Sequence, residues 1–332
     1  MTRRLAPAAQ LLGPAAVIAV VGFVATLVSR ANEIYFLNAL VSVAIVVAIY
    51  VFVGNSGVLS FGQISFVAVG AFAAGVLTVP LESKAGVLPE LFPFLRDNTV
   101  GSATSLALAA AVGGVLALVV GLPLMRLSGL AAGIATFAVL EVVHNLLREW
   151  TKIGPGATTL SLVPETTGAL QATLGALLVV AAAFVYQRSR LGRLLRATRE
   201  DPAAAQAVGV GIHAQRLWAF TLSGALCGFA GGLYVHMLGS ITTEQVYLEL
   251  TFITLAMLVV GGLTSLWGAV LGALAVSGLD SLLGKAEEGS FGPDLPTGSR
   301  LVVVGALMAL VLILRPSGLT GGRELSFRRR SA

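Results

Sequence analysis

Apolar stretches of about twenty residues recur along almost the whole chain, and this recurrence limits the possible folds more than any single motif does. A helix needs roughly 20 mainly apolar residues to cross about 30 Å of hydrocarbon. Suitable runs cover approximately 9–29, 34–53, 58–79, 102–122, 129–147, 169–187, 215–238, 248–263, 266–283 and 301–314. The run at 248–263 is short for a crossing and reads as broken or re-entrant, so the pattern predicts eight to ten membrane helices. Composition points the same way. The chain is 56% hydrophobic and 11% charged, whereas a soluble domain carries about 25% charged residues. A water-soluble enzyme is thereby excluded, and so is a disordered chain. The one cysteine, Cys227, lies in an apolar stretch, which removes internal disulfides and cysteine metal clusters from consideration. The expectation is an all-α integral membrane protein: a single polytopic bundle over 1–332, with broken or re-entrant segments, a long loop at 188–214 and a basic tail at 315–332.

Charge sets the expected orientation, because basic residues concentrate in cytoplasmic loops. The first run follows Arg3 and Arg4, but its apolar stretch from Leu11 to Val28 exceeds a signal-peptide core, so it reads as a retained helix. With both termini inside and ten crossings, the inner segments hold fourteen basic residues against Glu200, Asp201 and Glu324. The outer segments hold seven basic and eleven acidic residues. The high pI is therefore topological and gives no reason to expect a nucleic-acid partner. The tail from Arg328 to Arg330 suits contact with anionic membrane lipid.

Glycine and polar residues pick out the places where helices pack or break. Gly129 and Gly133, Gly228 and Gly232, and Gly268 and Gly272 each form a G-x-x-x-G pair, which lets a second backbone approach closely where lipid weakens the hydrophobic drive between helices. Between Gly54 and Gly75 the chain places Asn55, Ser56, Ser60, Gln63 and Ser65 in an otherwise apolar setting. Irregular backbone at membrane depth is tolerated only inside protein or along a wet cavity, so Ser60, Gln63 and Ser65 are candidate pathway residues. The stretch from Gly261 to Gly272, with Thr264, Ser265 and Trp267, partly echoes the first and also fits a pathway. Among ionisable groups within the runs, Glu141 and His144 share one helix face, three residues apart, and join the candidates. Asp280 lies near the outer end of its run.

The loop after residue 187 contains a helix start of a different kind. Asp201 precedes Pro202 and then Ala203, Ala204, Ala205, Gln206, Ala207 and Val208. The Asp oxygen can cap free amides, Pro suits the first turn, and Gly209 is placed to end the helix. A short, slim helix of about seven residues, roughly 10 Å long, is predicted.

Here the sequence resembles the membrane permease subunits of branched-chain amino acid ABC importers. The resemblance rests on Ser189 to Gly209, with Gly192, Arg193, Arg199, Asp201, Pro202, Ala204 and Ala205. It also rests on Gly57 to Gly70, Ala219 to Tyr234, Gly261 to Ala273, and the closing Arg315, Pro316 and Gly318. It implies a permease in a bacterial inner membrane, working with ATP-binding cassette subunits, a second permease chain that is homologous or identical, and an extracytoplasmic substrate-binding protein. It further implies that Asp201, Pro202, Ala204, Ala205 and Gly209 dock on the ATPase. The broader importer pattern has an acidic residue before the paired alanines, where this chain has Ala203.

No catalytic, metal or cofactor motif accompanies these features. A G-x-x-x-x-G-K-[ST] phosphate loop is missing, and the nearest approach, Gly278 to Ala286, has the wrong spacing and no hydroxyl. ATP hydrolysis is therefore assigned to a partner. Branched-chain amino acids are the expected substrate, with urea or short amides as the alternative. An ion-coupled secondary transporter is the reading from another class, but it lacks deep carboxylates beyond Glu141 and leaves the loop helix unexplained.

Overall fold

The computed structural model describes residues 5–287, 296, 298–315 and 318–321. Arg3, Arg4, Pro316, Arg323 and Arg328 to Arg330, and with them most of the expected basic tail, lie outside the described residues. The helices are α1 (Leu5–Leu27), α2 (Arg30–Ser56), α3 (Gln63–Thr78), α4 (Leu81–Val87), α5 (Pro93–Arg96), α6 (Ser102–Leu124), α7 (Gly129–Glu149) and α8 (Ala169–Arg188). They continue as α9 (Arg190–Glu200), α10 (Pro202–Ala207), α11 (Ile212–Leu238), α12 (Leu248–Gly261), α13 (Leu266–Glu287) and α14 (Ser299–Leu314), with a 3-10 turn at Glu244–Val246. Among the described residues, eight helical spans are long and apolar enough to cross a membrane, and α3 and α14 supply two shorter apolar helices. Among the described residues the only β pairing is a bridge between Leu160 and Ile241. The fold is all-α.

Helix α2 has no polar face, and a helix that is apolar all round belongs in an interior. Every residue from 39 to 56 is buried, enclosed by α1, α8, α11 and α13. On the outside, α1, α6 and α8 leave Phe23, Val115, Val119, Leu174 and Leu178 exposed. Apolar surface this extensive is foreign to a soluble monomer and matches a lipid solvent.

The glycines explain how the helices come so close. A Cβ on Gly228 of α11 would stand 2.3 Å from the Ala109 carbonyl oxygen of α6, and one on Gly70 of α3 would stand 2.2 Å from the Gly228 carbonyl oxygen. Gly231 meets the Val67 carbonyl of α3, and Gly232 meets the Leu106 side chain. Helices α3, α6 and α11 thus share a seam of backbone against backbone. A second seam joins α12 to α13, where Gly261 faces Gly268 and Gly272 faces the Met257 carbonyl. The pair on α7 is different. Gly129 adopts φ 59° at the helix start with open space around it, and Gly133 makes only ordinary contact with Leu59 and Phe61.

Two elements depart from the sequence expectation. The run 58–79 is not one helix, because α3 begins only at Gln63. The stretch after residue 188, expected as loop, forms α9, which buries Leu195 and Thr198 and leaves Arg190 and Arg193 exposed.

Contacts gather the basic residues at one end of the bundle. His213 Nδ1 lies 2.9 Å from the Met125 carbonyl, Arg216 donates to the Leu127 carbonyl at 3.3 Å, and α9 and α10 lie against the start of α11. Arg126, Arg216 and the α9 arginines therefore share this end. At the far end, the fully buried Lys84 donates from Nζ to the Asn98 carbonyl at 2.8 Å. Burial pushes its ammonium below the ordinary lysine value. The unfolded chain then holds the proton to higher pH than the folded one, so the 81–98 segment gains stability as pH rises from the lowered value to the ordinary one. Hydrogen exchange of that segment across alkaline pH should show protection increasing. Lys84→Met should remove this pH dependence and cost about 1–3 kcal/mol locally by leaving the Asn98 carbonyl unpaired.

Candidate functional site: a helix break lined with unpaired polar groups

Gly57 ends α2 in a left-handed conformation, φ 71°, with its amide donating to the Val53 carbonyl at 3.0 Å. Residues 57–62 then run without helix before α3 starts at Gln63. The break is pinned to α7: the Phe61 amide donates to Thr136 Oγ1 at 3.2 Å, and Phe61 packs edge-on against Phe137. Gly62 sits so close that a Cβ would be 2.6 Å from the Thr136 carbonyl oxygen. Thr136 is about 10 Å along α7 from its first residue, so Phe61 and Gly62 meet that helix about two turns inside its end.

Asn55, Ser60, Gln63 and Ser65 surround the break, each no more than 1% exposed. Asn55 Oδ1, Ser60 Oγ, Ser65 Oγ and both amide atoms of Gln63 find no hydrogen-bond partner among the described residues. Each such group costs about 1–3 kcal/mol when buried unpaired, and a concentration of them calls for a functional reason. Ser60, Gln63 and Ser65 are thus all buried and unpaired at the break, and Asn55 with them.

Glu141 and His144 stand elsewhere. His144 is about 12 Å further along α7 than Thr136. Glu141 accepts hydrogen bonds from Tyr247 and from Asn145 Nδ2. His144 stacks on the Tyr247 ring at 3.9 Å between centroids, with Nε2 3.5 Å from Glu244. The two residues fasten α7 to the 244–247 segment, at a different level from the break. The Gly261 to Gly272 stretch is likewise occupied by packing. Leu319 donates to the Val260 carbonyl at 2.8 Å, and Thr320 reaches the Gly261 carbonyl through both its amide and its hydroxyl. Asp280 pairs with Arg300 at 3.2 Å. Among the described residues no cluster of His, Cys, Asp and Glu could hold a metal ion.

At the basic end, Asp201 caps α10 by accepting from the Ala204 amide at 2.9 Å, and Pro202 opens the helix. Pro202, Ala204 and Val208 are exposed while Ala205 is buried against its surroundings. Gly209 follows at φ 83° with nothing within 4 Å of a Cβ position. Sequence reasoning missed what ties this element to the bundle. Arg196 donates to the Gln187 carbonyl at 2.6 Å, the Tyr50 hydroxyl donates to Gln187 Oε1 at 3.2 Å, and Arg199 reaches the Gly54 carbonyl at 2.8 Å. The signal was present in the three-residue spacing of Arg196 and Arg199, which makes them neighbours on a helix surface.

A lipid-exposed bundle with a helix broken around buried polar groups is the architecture of a membrane transport subunit. The chain belongs to the family described as branched-chain amino acid transport system / permease component, which matches residues 33–312. It is 27% identical over 327 residues to the high-affinity branched-chain amino acid transport system permease protein LivM of Salmonella typhimurium, covering 88% of this chain and 71% of that one. LivM of Escherichia coli is 27% identical over 303 residues, covering 81% of this chain and 65% of its own. The autoinducer 2 import system permease protein LsrC of Klebsiella pneumoniae is 29% identical over 217 residues, covering 61% and 59%. The chain thus spans about two thirds of the length of these relatives. No solved structure matches it. It is a multi-pass ABC permease subunit and not an enzyme, and its family implies a separate ATPase and a binding protein.

Proposed function

We propose that this chain forms the translocation pathway for branched-chain amino acids in an ABC importer of a bacterial inner membrane, with the α2–α3 break as the part of the pathway that solute meets. The supporting observation is the buried, unpaired set of Asn55, Ser60, Gln63 and Ser65, whose amide and hydroxyl groups can hold a small solute loosely without fixed charge. Affinity then resides in the extracytoplasmic binding protein. The basic end, with α9 and α10, faces the cytoplasm under the charge rule, and both termini lie on that side. Asp201, Pro202, Ala204, Ala205 and Gly209 dock on the ATPase subunits. Leu59, Leu130 and Ile134 are exposed beside the break and suit a second permease chain, homologous or identical, closing the pathway.

The substrate rests on the LivM relatives, while LsrC shows that a similar chain serves a different small solute. The test is uptake by the complete importer in reconstituted vesicles, comparing labelled leucine, labelled urea and autoinducer 2. Leucine uptake that requires ATP, the ATPase and the binding protein is expected, and Gln63→Leu should lower it about tenfold, the size of one or two lost polar contacts. Uphill uptake by this chain alone, or uptake of urea without leucine, would overturn the reading.

A further inference from the structure

We infer that Arg199 is the positioning residue that carries movement of α10 to the α2–α3 break. This rests on the proposed docking of α10, and it assigns a step that docking alone leaves open. The end of α9 is two residues from Pro202, so a displaced α10 pulls on Arg199 first. The Arg199 side chain crosses Gly57, where a Cβ would stand 2.7 Å from Arg199 Cγ. Its Nη1 then donates to the Gly54 carbonyl at 2.8 Å.

That carbonyl is one of the last in α2, where the helix leaves acceptors free. The Val58 amide, which would have continued the helical ladder, donates instead to Ser56 Oγ at 3.1 Å. A guanidinium also suits the negative end of the α2 dipole. Glu200 takes the other side of the guanidinium, Nη2 to Oε1 at 2.5 Å, which leaves Nη1 aimed at α2. The next residue after Gly54 is Asn55, the first of the unpaired set. The bond therefore joins the docking segment to the backbone that positions the pathway groups.

A second tie, Arg196 to the Gln187 carbonyl at 2.6 Å, holds α9 to the end of α8. The α9 rod accordingly moves with α8 at one end and pulls on α2 at the other. Gly57 is required twice, for its left-handed φ and for the passage of the arginine stem.

The test compares Arg199→Met, which keeps the stem over Gly57 and loses the donor, with Arg199→Lys, which keeps a cation of similar reach. Both are made in the complete importer, in a Cys227→Ser background carrying Ser60→Cys as a reporter. The readouts are co-purification of the ATPase, leucine uptake in the same background without the reporter, and the ATP-dependent change in reactivity of the reporter thiol. Arg199→Met should retain the ATPase, lose about tenfold in uptake, and abolish the nucleotide response at residue 60. Arg199→Lys should restore that response. Normal uptake or a normal thiol response in Arg199→Met overturns the inference. So does loss of the ATPase or of assembly in that variant, which would make Arg199 part of the docking surface or of the fold. Failure of the unsubstituted chain to bind the ATPase would instead overturn the docking of α10 itself.

Discussion

Gly228→Val is expected to destroy the bundle. The added Cβ would lie 2.3 Å from the Ala109 carbonyl oxygen and 3.2 Å from the Gly113 Cα, so α6 blocks it with backbone that no rotamer change can move. Gly70 approaches the same residue from α3, to within 2.2 Å of a Cβ. Separating α11 from either helix opens the seam along its whole length. Overpacking alone costs about 3 kcal/mol at such sites, and the lost helix contacts add to it. Thermal unfolding in detergent should show a large drop or no folded protein. Gly278→Ala is the matched control, because nothing lies within 4 Å of a Cβ there. A Gly-to-Ala change in an open helix position should be neutral or stabilising by up to about 1 kcal/mol. Equal stability of both variants would show that the three-helix seam is not what holds the bundle together.

The sequence exposed those seams only in part, for a physical reason. A four-residue glycine spacing identifies one face of one helix and says nothing of which backbone will lie against it. Gly70, Gly113 and Gly261 complete the contacts with no second glycine four residues away, and Gly224, which does stand four before Gly228, gives no sign that α6 lies against it. The pair at Gly129 and Gly133 has the same spacing but lies at a helix start beside the break, where little packs on it. Hydropathy located the membrane helices well because each must satisfy its own backbone in lipid. It overran the start of α3 because the residues of 57–62 are mostly apolar or small, and hydropathy cannot register a turn made by φ 71° at Gly57. The polar residues of the break were legible as residues out of place. Glu141 and His144 were equally out of place, but their partners come from the 244–247 segment, about a hundred positions away in the chain. No local pattern could foretell contacts of that range.

Gly209→Val should sever the permease from its ATPase while leaving membrane insertion intact. The two effects separate because Gly209 has φ 83° and open space around it, so the substitution meets no neighbour and disturbs only the turn after α10. A β-branched residue at that φ is a strong outlier, with a cost of about 1–2 kcal/mol. Helix α10 has six residues and cannot absorb such a cost, since helices this short have almost no stability of their own. The hydrogen bond from the Gly209 amide to the Gln206 carbonyl at 2.9 Å and that from Val210 to Ala205 at 3.0 Å would go first. Pro202, Ala204 and Val208 would then lose their common presentation. A docking surface of a few small side chains depends on that presentation, because it has no large anchor to compensate. Co-purification of the ATPase should fall about tenfold or more, and uptake should fall with it. Gly209→Asn is the decisive comparison, because asparagine tolerates the left-handed region. It should keep most of the ATPase, and a loss equal to that of valine would place the effect in the side chain and not in the backbone of the α10 cap.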